Sequence, residues 1–169
     1  LVDKSEIEDL INGVLSPKET IWGLFSANFY TNVRADLYLS GGSSSLFLKA
    51  DHDDTYMADK EGTDYRYEKW FKNYSAIEAS GMRCIKVLDT YELNYATRSD
   101  ARVKGVNMLR LPELYYIITE YYLSIDNQTE AVKYFDKVLV SRGLTGYADR
   151  QGATLTLEKV IQERRKELV

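Results

Sequence analysis

Arg110-Leu-Pro-Glu-Leu-Tyr-Tyr-Ile-Ile-Thr-Glu120, Glu130-Ala-Val-Lys-Tyr-Phe-Asp-Lys-Val-Leu139 and Leu157-Glu-Lys-Val-Ile-Gln-Glu-Arg-Arg-Lys-Glu-Leu168 share one spacing, with apolar residues three and four apart. That spacing puts each apolar set on one face of a helix. Leu111, Leu114, Tyr115, Ile118 and Tyr122 line the first, expected over roughly 110–124, with Pro112 in the first turn, where its missing N–H is harmless. Asn127 followed by Glu130 marks the next N-terminus. Ala131, Phe135, Val138 and Leu139 form its buried side, and Gly143 stops it. Leu157, Val160, Ile161 and Leu168 set the third helix, beginning near Thr156. The turn between the first two is very short, so they form an antiparallel hairpin whose exposed apolar side needs a further helix. With a small Ala131 where the helices approach, this is a tetratricopeptide-like pair, although no second copy of the period follows.

Upstream, Asp64-Tyr-Arg-Tyr-Glu-Lys-Trp-Phe71 reads as a short helix capped by Asp64, and Cys84-Ile-Lys-Val-Leu88 as a short strand. The polar segment 94–107 reads as a loop. Asp3 and Glu6 open a helix whose face is Ile7, Leu10, Ile11 and Val14, ended by Gly13 and Pro17. Residues 19–30 carry aromatic and β-branched side chains that fit a strand about as well as a helix; an extended segment is the preferred reading. From 30 to 62 the periodicity dissolves around Ser40-Gly-Gly-Ser-Ser-Ser45 and Asp51-His-Asp-Asp54. A long irregular stretch of this kind is usually functional or mobile.

The bulk composition excludes more than it selects. The 169 residues are 44% hydrophobic and 28% charged, with net charge −4, an ordinary balance for a globular domain. That charge argues against a nucleic-acid partner, which needs a basic face. No apolar run reaches the roughly 20 residues of a membrane helix. Leu1 to Leu10 carries acidic residues and no apolar core, so it does not read as a signal peptide. The chain opens without methionine and ends just after a charged helical run, so a piece of a longer protein is expected. The single Cys84 excludes an internal disulfide. Fourteen tyrosines stand against one histidine; packing between helices is their plainer use, contact with carbohydrate or protein the other.

Candidate chemistry is sparse. Asp51-His52-Asp53-Asp54 lacks EF-hand spacing and a second soft ligand beyond Cys84 for zinc. It reads as a solvated acidic loop, with a weak cation site as the alternative. His52 has no nucleophile-bearing turn, and Gly41-Gly42 lacks the P-loop continuation. Many carboxylates are available for glycoside hydrolysis, but none is marked as a pair. An enzyme is therefore not expected. Glu163, Arg164, Arg165 and Glu167 read as a solvated helix face with charge pairs worth about 0.2–0.5 kcal/mol each. Trp22, Tyr30, Tyr38, Tyr56 and Trp70, in or beside irregular stretches, are the ligand-binding candidates: aromatic faces stack on the C–H faces of sugar rings. For each of them, simple packing is the competing reading.

Four short motifs occur in a fixed order: Asp64-Tyr-Arg66, Arg110-Leu-Pro-Glu113-Leu-Tyr115 with Glu120 beyond it, Ala131 through Arg142-Gly-Leu144, and Glu163-Arg-Arg-Lys-Glu-Leu168. Together they resemble the C-terminal part of the SusD/RagB family, surface nutrient-binding lipoproteins of Bacteroidetes. The resemblance covers 60–169 by motif and 1–60 by general character. The Gly- and Arg-containing segment that follows the last motif in the family is missing here. The resemblance implies a mainly α, SusD-like helical fold with tetratricopeptide-like helix pairs, long irregular loops and at most a few short strands. It implies one domain over 1–169, with 30–62 a long loop and 110–169 a helical bundle portion. It further implies non-catalytic binding of a glycan or other nutrient without a cofactor, and hand-over to a SusC-like TonB-dependent transporter. The implied place is the extracellular face of the outer membrane, through a lipid anchor absent from this chain. Much of the family's ligand platform lies in its N-terminal portion, so only part of a site is expected here. The rival readings are a tetratricopeptide-like interaction scaffold and, further off, a hydrolase using acidic residues of the long loop.

Overall fold

The computed structural model describes residues 1–2, 18–25, 64–75, 80–84 and 105–167. Within them the chain is mainly helical, with two small antiparallel sheets. Strand β1 (Thr20–Phe25) is followed by helix α1 (Tyr65–Trp70), strands β2 (Phe71–Ser75), β3 (Ser80–Cys84) and β4 (Gly105–Arg110), and helices α2 (Leu111–Ser124), α3 (Gln128–Ser141) and α4 (Leu157–Glu167), with a 3₁₀ turn at Tyr147–Asp149. β1 pairs with β4 across most of the chain, whereas β2 and β3 form a local pair. The expected helix at 7–14, the 30–62 loop and the 94–104 part of the second loop lie outside the described residues.

Helices α2 and α3 form the expected hairpin. Pro112 occupies the first turn of α2, and one of the free N–H groups there, that of Leu111, donates to the Glu19 carbonyl at 2.7 Å. Asp126, at φ 56°, makes the tight link between the helices. Asn127 then caps α3, its side chain accepting the Glu130 N–H at 3.2 Å. Gly143, at φ 83°, ends α3 in the left-handed region, and Leu144 N–H returns to the Leu139 carbonyl at 3.0 Å. The buried core consists of Tyr116, Ala131, Phe135, Val138, Leu139, Leu144, Leu155 and Val160, with Leu1 packed against it. Ala131 is fully buried between the helices, where a larger side chain would hold them apart.

Two sequence readings overlap the described strands only at their ends. Of the strand expected at 84–88 only Cys84 lies within the described residues, where it ends strand β3, and the end of the polar 94–107 stretch is strand β4. Gly105-Val-Asn-Met-Leu-Arg110 has no clean alternation. Its extended form comes from pairing with β1, whose residues lie 80 to 90 positions away from their partners.

The Asp136 carboxylate accepts the N–H groups of Tyr147 at 2.6 Å and Ala148 at 2.9 Å, capping the 3₁₀ turn. This puts Gly146 so close that a Cβ there would lie 2.8 Å from Asp136 Oδ2 and 2.9 Å from its Cγ. Gly146→Ala is expected to lower stability by about 1–3 kcal/mol, as overpacking does, measured by urea unfolding. In an Asp136→Ala background the same change is expected to have little further effect. Equal losses in both backgrounds would show that the clash is not the cause.

Candidate functional site

Four carboxylates and four cations meet in the interior. Asp64 is the N-cap of α1: Oδ1 accepts the Arg66 N–H at 3.0 Å and its Nε at 2.9 Å, while Oδ2 takes Nη2 at 2.7 Å. The Arg66 fork also reaches Glu163 at 2.8 Å and Glu167 at 3.0 Å. Arg142, at the C-terminal end of α3, donates to Glu167 at 2.7 and 3.2 Å and to both oxygens of Glu19 at 3.1 and 3.0 Å. Its carbonyl accepts the Tyr65 N–H at 2.9 Å. Arg110 reaches the Glu167 carbonyl at 2.5 Å and its carboxylate at 3.1 Å, and Lys166 holds Glu163 at 2.6 Å. Arg66, Arg142, Glu19 and Glu163 are wholly or almost wholly buried.

The solvated reading of Glu163 and Glu167 is therefore corrected. One turn apart on α4, both carboxylates face inward because Arg66 and Arg142 are there to meet them. Burial alone would push the Glu167 carboxyl up, but the charges of Arg142, Arg110 and Arg66 hold it well below the usual carboxylate range. Burial likewise works against Glu163, and Arg66 and Lys166 outweigh it, leaving it lowered. Arg164 stays nearer the surface, paired with Glu113 and, at 3.2 Å, with Glu120. Most of its donors and acceptors are taken up by one another, although buried Arg110 Nη1 makes no hydrogen bond and lies 3.7 Å from Glu19, and the cluster reads as a clasp between distant segments.

The β1–β4 ribbon offers a different surface. Irregularities between Thr20 and Trp22 and between Trp22 and Gly23 break the regular alternation, and Trp22 pairs with Leu109. Ile21, Trp22, Leu24 and Met108 are all exposed, Trp22 to 56%. Thr20 Oγ1 donates to Asn107 Oδ1 at 2.6 Å beside them. Among the sequence candidates, then, Trp22 lies open on the ribbon. Trp70, at the end of α1, is 0% exposed, with the Arg110 guanidinium 6.0 Å from its ring centre, and presents no face to solvent. Tyr30, Tyr38, Tyr56 and Asp51–Asp54 lie outside the described residues. Among the described residues no group of three or more His, Cys, Asp or Glu could hold a metal ion, and no helix is long and apolar enough to cross a membrane.

Three solved structures from Bacteroides vulgatus ATCC 8482 share this architecture. One, described as sugar binding, superposes with a TM-score of 0.68 at 20% identity over 99% of this chain and 36% of that one. A SusD-like carbohydrate-binding protein gives 0.67 at 22% over 99% and 35%, and a SusD superfamily protein 0.65 at 18% over 100% and 37%. The fold is that of the matching part of SusD-like proteins, so the resemblance drawn from the four motifs holds at the level of fold. The chain spans a little over a third of the length of these structures. No family model matches the sequence, and no curated protein does.

Proposed function

We propose that this chain takes part in non-catalytic capture of a glycan, with Trp22 as a stacking surface on the β1–β4 ribbon. The observation that carries this reading is the exposed Trp22 ring, on a ribbon that also exposes Ile21, Leu24 and Met108; an open aromatic face suits the apolar face of a sugar. Its support from outside the chain is that two of the solved neighbours are described as sugar- or carbohydrate-binding. Under the same proposal the bound nutrient passes to a SusC-like TonB-dependent transporter at the extracellular face of the outer membrane.

A glycan array on the purified chain, with hits titrated by tryptophan fluorescence, tests the proposal. Trp22→Ala is expected to weaken binding by about 1–3 kcal/mol, the range that aromatic stacking platforms give. Unchanged affinity in a folded Trp22→Ala protein removes this ring from the site.

The scaffold reading keeps one specific observation of its own. Leu114, Ile117, Tyr121 and Ile125 follow one another at three- and four-residue steps along α2 and are exposed, as are Leu157 and Ile161 on α4. Such a stripe suits a partner helix. Failure of every glycan to bind a folded chain favours that reading.

A further inference from the structure

Both strands of the β1–β4 ribbon end at the buried charge cluster. Glu19 immediately precedes β1. Its carbonyl accepts the Leu111 N–H at 2.7 Å, and its carboxylate accepts from Arg142 at 3.0 and 3.1 Å and from the Val2 N–H at 2.9 Å. Arg110 ends β4, lies 3.7 Å from the Glu19 carboxylate and bonds to Glu167. The two strands are thus tied to α3 and α4 through the same pair, Arg142 and Glu167. Away from this corner Ile21, Trp22, Leu24 and Met108 of the ribbon are exposed, and among the described helices α2, into which β4 runs directly, makes the main contact with it. The helix pair has a separate apolar core of Tyr116, Phe135, Val138 and Leu139.

We propose that Glu19 is a positioning residue: its carboxylate fixes the ribbon, and with it Trp22 three residues further on, against the helical body. A charged anchor has a directional consequence that apolar packing lacks. The two Glu19 oxygens, Arg142 Nη2 and the Val2 N–H have fixed geometries, so together they set the angle at which β1 departs. Loss of this anchor frees the ribbon while α2 and α3 remain packed on each other.

Hydrogen exchange resolved by segment, on the full chain, tests this. In Glu19→Gln the amides of 20–25 and 105–110 are expected to exchange about tenfold faster or more, while those of 128–141 keep their protection, as local opening requires. Equal acceleration in every segment would mean that the clasp holds the whole fold rather than the ribbon. Unchanged exchange in the ribbon would mean that something else holds it. Either result overturns the proposal. If Glu19→Gln does not fold, Glu19→Asp carries the same comparison, because it keeps the charge and withdraws it by one methylene. The consequence for Trp22 rests on the glycan reading and has its own arm. Where Trp22→Ala abolishes binding, a folded Glu19→Gln chain is expected to bind several-fold more weakly; unaltered affinity there refutes the positioning of Trp22. Where Trp22→Ala has no effect, Trp22 is not part of the site and exchange alone decides whether Glu19 anchors the ribbon.

Discussion

Arg66→Ala is expected to remove about 3–5 kcal/mol of folding stability, the loss typical when one partner of a buried ion pair is deleted. Arg164→Ala is expected to remove no more than about 1 kcal/mol, as for exposed pairs. Both arginines contact two or more carboxylates, so the number of salt bridges would not separate them. Burial does. Around Arg66 the carboxylates of Asp64, Glu163 and Glu167 are shielded from water, and without the guanidinium they lose its five N–H donors and its charge together. Around Arg164 water replaces what is lost. Since whole domains are stable by only about 5–15 kcal/mol, the first change takes a large share. Arg66→Lys should recover only a fraction, because a point charge cannot serve three carboxylates as a planar fork does. Chemical denaturation followed by circular dichroism measures all three variants. Similar losses for Arg66→Ala and Arg164→Ala would mean that the interior cluster contributes no more than a surface one.

The same contrast separates what the sequence disclosed from what it hid. Helices α2, α3 and α4 were legible from apolar residues at helical spacing, and the caps Asn127 and Gly143 are local signals. Only α3 buries the face expected of it: on α2 Leu114 is exposed and Tyr116 and Thr119 are buried instead, and on α4 Leu157 and Ile161 are exposed while Val160, Glu163, Lys166 and Glu167 turn inward. The Asp64 cap was legible for the same reason. The burial of Glu163 and Glu167 was not, since a run of alternating charge looks alike whether it meets water or buried arginines. Their partner Arg66 lies 97 and 101 residues away along the chain. One trace of it was nonetheless present. Asp64, Arg66, Arg110, Arg142, Glu163 and Glu167 all belong to the four ordered motifs, and all six meet in the clasp. Of the candidate site, exposure was the hidden quantity: Trp22 and Trp70 look equivalent in sequence, yet one is open and the other enclosed. Strand β4 was hidden because its partner strand, rather than its own alternation, makes it extended.

Acid should dismantle the clasp, and the direction follows from the two carboxyls that the arginines hold down. Glu167 lies well below the usual carboxylate range because Arg142, Arg110 and Arg66 outweigh its burial, and Glu163 is lowered by Arg66 and Lys166 against the same opposing effect. In the unfolded chain both titrate near the ordinary glutamate value of about 4.3. Between that value and their folded values the unfolded state binds more protons, so stability rises with pH. Their contribution is therefore complete above about pH 5 and is lost as pH falls through the folded-state values, with a limiting slope of about 1.4 kcal/mol per pH unit for each group. Protonating Glu167 weakens its hold on three arginines at once, whose positive charges then repel one another in a buried space. Urea midpoints measured from pH 3 to 8 should show little dependence on these two groups above pH 5 and a steep fall below pH 4. Glu167→Gln, less stable throughout, should show a shallower acid limb because one of the two titrations is gone. An acid limb as steep in that variant as in the parent would assign the acid sensitivity to other carboxylates and leave Glu167 a spectator.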